Sequence, residues 1–203
     1  FVGAMAIARQ EGDTVLEMRT WAVGADLDMN FSRRTDALEK ALRALDLARD
    51  SDDPIGEHTA RFFAVLSLRE TGDPRETGDP EEAELHATAA LDAAERLKDW
   101  TRVAFALHAN ESINSFRGNW DAARSYSDRG LISGSFTPVF LGMRAHLEYE
   151  IGGSAQGDIN FQSFLEIIRG IPLIPGLLHP HAALAIPLIG RITGRLDDAD
   201  LAR

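Results

Sequence analysis

The sequence predicts an all-α protein, a right-handed solenoid of antiparallel helix pairs with about five units. Three observations predict it: an alanine-rich helical segment recurs along the chain, the residues that end helices recur in the same register, and a glycine-containing turn recurs between helices. Periods of roughly 20 to 50 residues are typical of repeat architectures, in which each unit packs on its neighbours. We therefore expect one helical-repeat domain over residues 1–203.

The alanine-rich segment gives the clearest repeat. Segments 37–48 and 83–94 are identical at six of twelve positions, at an offset of 46: Ala37/Ala83, Ala41/Ala87, Ala44/Ala90, Leu45/Leu91, Asp46/Asp92 and Ala48/Ala94. A weaker third copy keeps these phases in Ala123, Ser127, Gly130 and Leu131. The shared alanines step by four, three and four, so they lie on one face of a helix and let two helix axes approach closely.

A duplication explains why the first offset is 46 and the second is 40. The sequence Arg-Glu-Thr-Gly-Asp-Pro of residues 69–74 is repeated unchanged in residues 75–80. Six residues inserted in a turn would stretch a period of 40 to 46, and turns tolerate such insertions at small cost. The helix ends at 8–13, 48–53 and 94–99 recur with the same two offsets, which supports this register.

Three turns share glycine, an apolar residue two positions later and alanine five positions later; they begin at Gly78, Gly118 and Gly194. Glycine ends a helix in the left-handed conformation, and Asp or Asn beside it can cap the next helix. Residues 118–123, Gly-Asn-Trp-Asp-Ala-Ala, resemble the turn and second-helix signature of the tetratricopeptide repeat. The sequence departs from this family in two ways: its period varies from 34 to 46 residues, and the aromatic residue of the first helix is present only as Trp21.

The resemblance covers almost the whole chain and implies a non-catalytic, protein- or ligand-binding module. The longer period resembles the degenerate repeat arms of large bacterial signalling ATPases and transcriptional regulators. The pattern predicts helices near 2–11, 14–29, 35–49, 57–71, 80–97, 100–117, 120–132, 138–151, 157–170 and 179–193, with another beginning at 195.

Composition restricts the partners of this chain. There are 21 basic and 32 acidic residues, and a net charge of −11 repels phosphate backbones and anionic lipid, so we expect no nucleic-acid binding. No apolar stretch is long enough to span a membrane. The chain contains no cysteine and therefore has no disulfide or thiolate chemistry, which fits the expectation of a cytoplasmic protein. We expect a fragment truncated at both ends, whose uncovered end helices fray or pair in a homodimer.

The chain lacks the common sequence signatures of catalysis. There is no Gly-x4-Gly-Lys phosphate loop, and the glycines of residues 152–157 are interpreted as an interhelix turn. His179 and His181 flank Pro180, where ordinary loop histidines are favoured over a metal site. His108 and Ser112 are four residues apart, but nothing identifies an orienting acid or an oxyanion site. We expect no enzyme activity, no cofactor and no metal.

A binding surface is predicted instead. First helices of stacked pairs line the concave side, where partners bind. The family's phases place on it Arg19, Ala22, Asp26, Thr59, Phe62, Leu66, Phe105, His108, Ser112, Val139, His146, Tyr149 and His181. An exposed aromatic stripe there would bind a protein or peptide, including other domains of the same polypeptide; alternatively, the aromatics fill seams between units. A purely structural scaffold or oligomerisation segment is the competing function.

Overall fold

A computed structural model describes residues 1–31, 33–49, 51, 53–70, 79–170, 189, 190 and 194. Over these residues the protein is all-helical, without strands, as predicted. The helices are α1 (Val2–Glu11), α2 (Thr14–Asn30), α3 (Arg34–Arg49), α4 (Pro54–Glu70), α5 (Pro80–Leu97), α6 (Trp100–Phe116), α7 (Trp120–Ser133), α8 (Thr137–Glu150) and α9 (Ser154–Gly170). Each boundary lies within three residues of its prediction.

Several predicted features lie outside the described residues. They include most of the helix expected at 179–193, the helix expected from 195, and most of the duplicated turn of residues 69–80. None of the helices that the structure describes is long and apolar enough to cross a membrane.

The chain divides into two compact units, residues 1–117 and residues 118–203. In unit 1, each of the helices α1 to α6 packs on the next, and α2 also packs on α4 and α4 on α6. In unit 2, α7 packs on α8 and α8 on α9.

The repeated alanine face is buried, as its spacing predicts. The side chains of Ala41, Ala44, Ala87 and Ala90 are all 0% exposed. The third copy keeps this burial with other small residues, since Ser127 and Gly130 are buried in α7. Small residues at steps of three and four therefore do face neighbouring helices, which is the condition for close approach of two helix axes.

The predicted register of helix ends is also confirmed. Gly12 and Lys98, each four residues after a buried alanine, both adopt the left-handed conformation, with φ of 66° and 54°. An aspartate then begins the next helix by accepting a backbone hydrogen bond: Asp13 from Leu16 at 2.9 Å, Asp53 from Ile55 at 3.2 Å and Asp99 from Arg102 at 3.1 Å. These caps satisfy amide groups that a helix leaves without a partner at its start.

The glycine turns have the predicted left-handed backbone where they are described, but the predicted cap is present in only one of two. Gly118 and Gly194 have φ of 75° and 71°, a region that favours glycine. Asp79 caps α5 by accepting from the amides of Glu81 and Glu82. Asn119 occupies the corresponding position before α7 but makes no side-chain capping hydrogen bond, so the capping expected there is absent.

Candidate functional site

The open face of unit 1 contains five of the predicted groove residues. We define it as Arg19 on α2, Thr59, Phe62 and Leu66 on α4, and Phe105 on α6. All five are half-buried or exposed. Thr59, Phe62 and Leu66 are spaced at three and four residues, so they share one side of their helix. The packing of α2 on α4 and of α4 on α6 brings the three helices together.

Aromatic rings form the centre of this face. The Phe62 ring centroid lies 5.2 Å from that of Phe105 and 5.5 Å from that of Phe63. Phe62 packs on the apolar cluster that includes Val65 and Ile113, whereas Phe63 packs on the cluster that includes Met18. Phe62 and Phe63 are thus each held by a buried cluster while part of the side chain stays accessible, an arrangement suited to contact with another apolar group.

Two arginines on neighbouring helices bond to α4 or to the residue just before it. Arg19 Nε donates to Asp53 Oδ2 at 2.6 Å, and this bond is the main cause that lowers the pKa of the buried Asp53 carboxyl. Arg102 Nη1 donates to Thr59 Oγ1 at 3.2 Å, which joins α6 to α4. The Arg19 side chain is 55% exposed and the Arg102 side chain is 26% exposed.

A buried histidine that sequence reasoning did not single out lies beneath the same contact. His58 is 2% exposed, and its Nε2 is 3.1 Å from the backbone oxygen of Arg102. Burial, followed by the charge of Arg102, lowers the pKa of His58 to about 4. His58 is therefore neutral at pH 7, and Nε2 donates its hydrogen to the carbonyl of Arg102. The sequence gives little indication of this contact, since His58 and Arg102 are 44 positions apart.

The remaining predicted groove residues are distributed differently. Asp26 is exposed on α2, whereas Ala22 is buried in the core of unit 1. His108 and Ser112 are 7% and 8% exposed, so this pair does not offer an open imidazole and hydroxyl to a substrate.

In unit 2, Val139 and Tyr149 are buried as well. Tyr149 belongs to the cluster that contains Phe161 and Phe164, and its hydroxyl donates to Asp158 Oδ1 at 2.7 Å. The predicted aromatic stripe consists of Phe62, Phe105, His108 and Tyr149. Neither His108 nor Tyr149 presents an accessible ring. His181 lies outside the described residues.

His146 is partly exposed, with Nε2 3.5 Å from Glu150 Oε1. Burial lowers its pKa, and the charge of Glu150 opposes that shift.

A charged cluster that the sequence analysis missed joins α7 to α8. Glu148 is 3% exposed and accepts from Arg124 Nε at 2.9 Å, from Arg124 Nη2 at 2.8 Å and from Arg144 Nε at 2.7 Å. Hydrogen bonding, first from Arg124, lowers the pKa of this carboxyl. Arg144 also donates to Asp128 Oδ1 at 2.6 Å. The four-residue spacing of Arg144 and Glu148 was a readable signal, but Arg124 is 24 positions from its partner.

Among the residues that the structure describes, neither unit shows an arrangement typical of a metal centre. Over the described ranges, no group of three or more His, Asp and Glu side chains could hold a metal ion. Comparisons with protein-family models, with curated proteins and with solved structures found no match to this chain.

Proposed function

We propose that this chain is a non-catalytic protein- or peptide-binding repeat module of a larger bacterial signalling or transcription-regulating protein. One observation carries the proposal: the half-buried Phe62 and Phe105 rings meet at 5.2 Å across two helices, and the partly exposed Arg102 on α6 bonds to α4 one turn before Phe62. Half-accessible aromatic and arginine side chains are the residue types that dominate binding energy at protein interfaces.

The proposed architecture is a right-handed solenoid of antiparallel, tetratricopeptide-like helix pairs. Its support is the recurrence of the buried alanine phase and of the aspartate caps, together with the packing of α2 on α4 and of α4 on α6. Under this proposal α2, α4 and α6 are first helices. First helices line the concave side of such stacks, so the open face of unit 1 would lie on the binding side.

The surroundings of the face suggest the chemistry of the ligand. Residues 1–117 contain 14 Lys and Arg and 23 Asp and Glu, a formal charge of −9. A negative surface attracts basic segments and speeds their encounter. We therefore propose a peptide segment with an apolar or aromatic anchor that contacts Phe62 and Phe105, flanked by Lys or Arg.

The competing function is a structural scaffold. The burial of His108 and Tyr149 supports it, because residues predicted on the same surface instead fill space between helices. In that case Phe62 and Phe105 serve the α4–α6 packing alone and no ligand contacts them.

Selection of displayed peptides on the immobilised protein separates the two functions. We expect basic peptides with an apolar anchor, whose affinity falls about tenfold or more on Phe62→Ala, the loss expected of an interface anchor. The control is Leu85→Ala, since Leu85 is 71% exposed on α5, outside the open face. Each variant is checked by its melting curve. Peptides that bind Phe62→Ala as well as the parent protein, or no enrichment at all, would leave the scaffold as the better account.

A further inference from the structure

The offset of 40 residues allows the first two repeats to be compared position by position. It relates α1 to the later part of α3 and α2 to α4, and the equivalent positions Asp13 and Asp53 both cap a helix. Burial agrees at two pairs of equivalent positions: Met5 and Leu45 are each 6% exposed, and Ala8 and Ala48 are 0% and 6% exposed. The two repeats are therefore comparable in structure as well as in sequence.

Other equivalent positions differ sharply in exposure. In the second repeat Ala44 and Ser67 are 0% exposed, and Leu47 and Phe63 pack on a buried apolar cluster. Their equivalents in the first repeat are Ala4, Leu27, Ile7 and Val23, in the same order. Ala4 is exposed, Leu27 is 42% exposed, and Ile7 and Val23 are each 57% exposed. We call these four residues the α1–α2 face.

The second repeat shows what covers such positions. The cluster on which Leu47 and Phe63 pack combines residues of α3 and α4 with Met18, Ala22 and Ala25 of α2, and α2 packs on both helices. Met29 of α2 also accepts from the Ser67 hydroxyl at 3.4 Å. The helix that covers α3 and α4 is thus α2, and unit 1 has no equivalent helix, among its described residues, over α1 and α2.

We propose that the α1–α2 face is the docking surface for one more helix of the α2 type, supplied by the same polypeptide ahead of Phe1. A helix that runs into α1 through a short turn occupies this place in the way that α2 precedes α3. Its contact side carries small side chains and a methionine, as Met18, Ala22 and Ala25 do, because these allow close packing on alanine and valine. This inference uses the repeat arrangement and not the peptide site, so either can fail alone.

The test supplies such a helix in register. Because position 41 is equivalent to position 1, a copy of residues 14–40 is joined directly before Phe1. The chain contains no cysteine, so Val23→Cys in the original α2 gives one reactive thiol whose maleimide labelling reports its exposure. We expect labelling to slow by about tenfold or more in the extended protein, since a covered site reacts only when it opens.

Two controls accompany the extension. The first carries aspartate at the copied equivalents of Ala22 and Ala25, which places charge on the contact side and should leave labelling fast. The second is Leu85→Cys on α5, whose labelling should not change with the extension.

Equal labelling of Val23→Cys with the intact and the aspartate-bearing extension would overturn the proposal. So would an unextended protein that is a dimer by light scattering and in which Val23→Cys is already protected, because a second copy would then be the occupant.

Discussion

The two units fill the same repeat phases with different side chains. In unit 1, alanine occupies them, and Ala44 and Ala90 are fully buried. In unit 2, Gly130 holds the phase of Ala90, and a methyl group built on it would collide with the ring of Phe140 on α8. The repeat therefore preserves a close approach of helices but not one packing solution. Small side chains meet small ones in the first unit, and a missing side chain accommodates a ring in the second.

Buried polar groups differ between the units in a parallel way. In unit 1, His58 is kept neutral by burial at the α4–α6 contact. In unit 2, Glu148 is kept charged by Arg124 and Arg144. Disturbing a neutral buried group and breaking a buried ion pair cost different amounts of unfolding free energy. The two groups also titrate over different pH ranges, so they change the stability of the protein at different pH.

Removing the charge of Glu148 should give the largest effect. Glu148→Gln leaves Arg124 and Arg144 facing a neutral amide, and breaking a buried pair from one side typically costs about 3–5 kcal/mol of unfolding free energy. Urea denaturation measures the loss. Glu150→Gln, on the exposed side of the same helix, should change stability by less than about 0.5 kcal/mol. If both variants lose equally little, the Arg124–Glu148–Arg144 cluster does not stabilise unit 2.

His58 should make unit 1 sensitive to mild acid. Its pKa in the folded protein, about 4, lies below the ordinary histidine value of 6.5, so the unfolded chain binds the proton first as the pH falls. The stabilisation is complete above pH 6.5 and is lost between pH 6.5 and pH 4. A shift of this size corresponds to about 3 kcal/mol.

Comparison with His58→Gln isolates that contribution, since glutamine can donate to the Arg102 carbonyl without titrating. Between pH 7 and pH 4 the parent protein should lose about 3 kcal/mol more than the variant. Parallel stability profiles would show that His58 titrates normally in the folded protein.

Filling the repeat phases tests the packing contrast itself. Ala90→Leu in α5 and Gly130→Ala in α7 should each cost about 1–3 kcal/mol, because both overpack a close helix contact. The matched exposed controls on the same helices are Thr88→Leu and Ser125→Ala. If Gly130→Ala does not change the unfolding free energy, the Phe140 ring can move aside, and the packing of Gly130 against Phe140 is not specific.

Sequence periodicity predicted the features of the fold that depend on residue spacing within one helix. The helices and the buried alanine phase follow from steps of three and four residues. The contact of His58 with the Arg102 carbonyl, the pairing of Glu148 with Arg124 and the burial of Tyr149 depend on which distant residues meet across a helix contact. Residue spacing along one helix contains no information on that choice, so these parts of the candidate site were missed or misplaced.

Deletion within the duplicated segment of residues 69–80 should give the smallest effect, although it changes the chain the most. Deleting residues 75–80 joins Pro74 to Glu81, so Asp73 and Pro74 replace Asp79 and Pro80 in front of the amides of Glu81 and Glu82. The cap that Asp79 provides to both amides is then kept by an identical residue pair. Halving a loop changes its closure entropy by only about 0.6 kcal/mol, so we expect a net change below about 1 kcal/mol.

Two variants that lack the aspartate cap of α5 test whether the remaining copy takes over the role of Asp79. Asp79→Ala in the full chain, and Asp73→Ala in the deletion variant, should each cost about 1 kcal/mol, because each removes the acceptor for the first amides of α5. If Asp73→Ala costs nothing in the deletion variant, the remaining copy has not taken over the cap. A collapse of the melting transition on deletion would mean that residues 75–80 contribute contacts to the fold, and the spacing of 46 would need another explanation than an insertion into a turn.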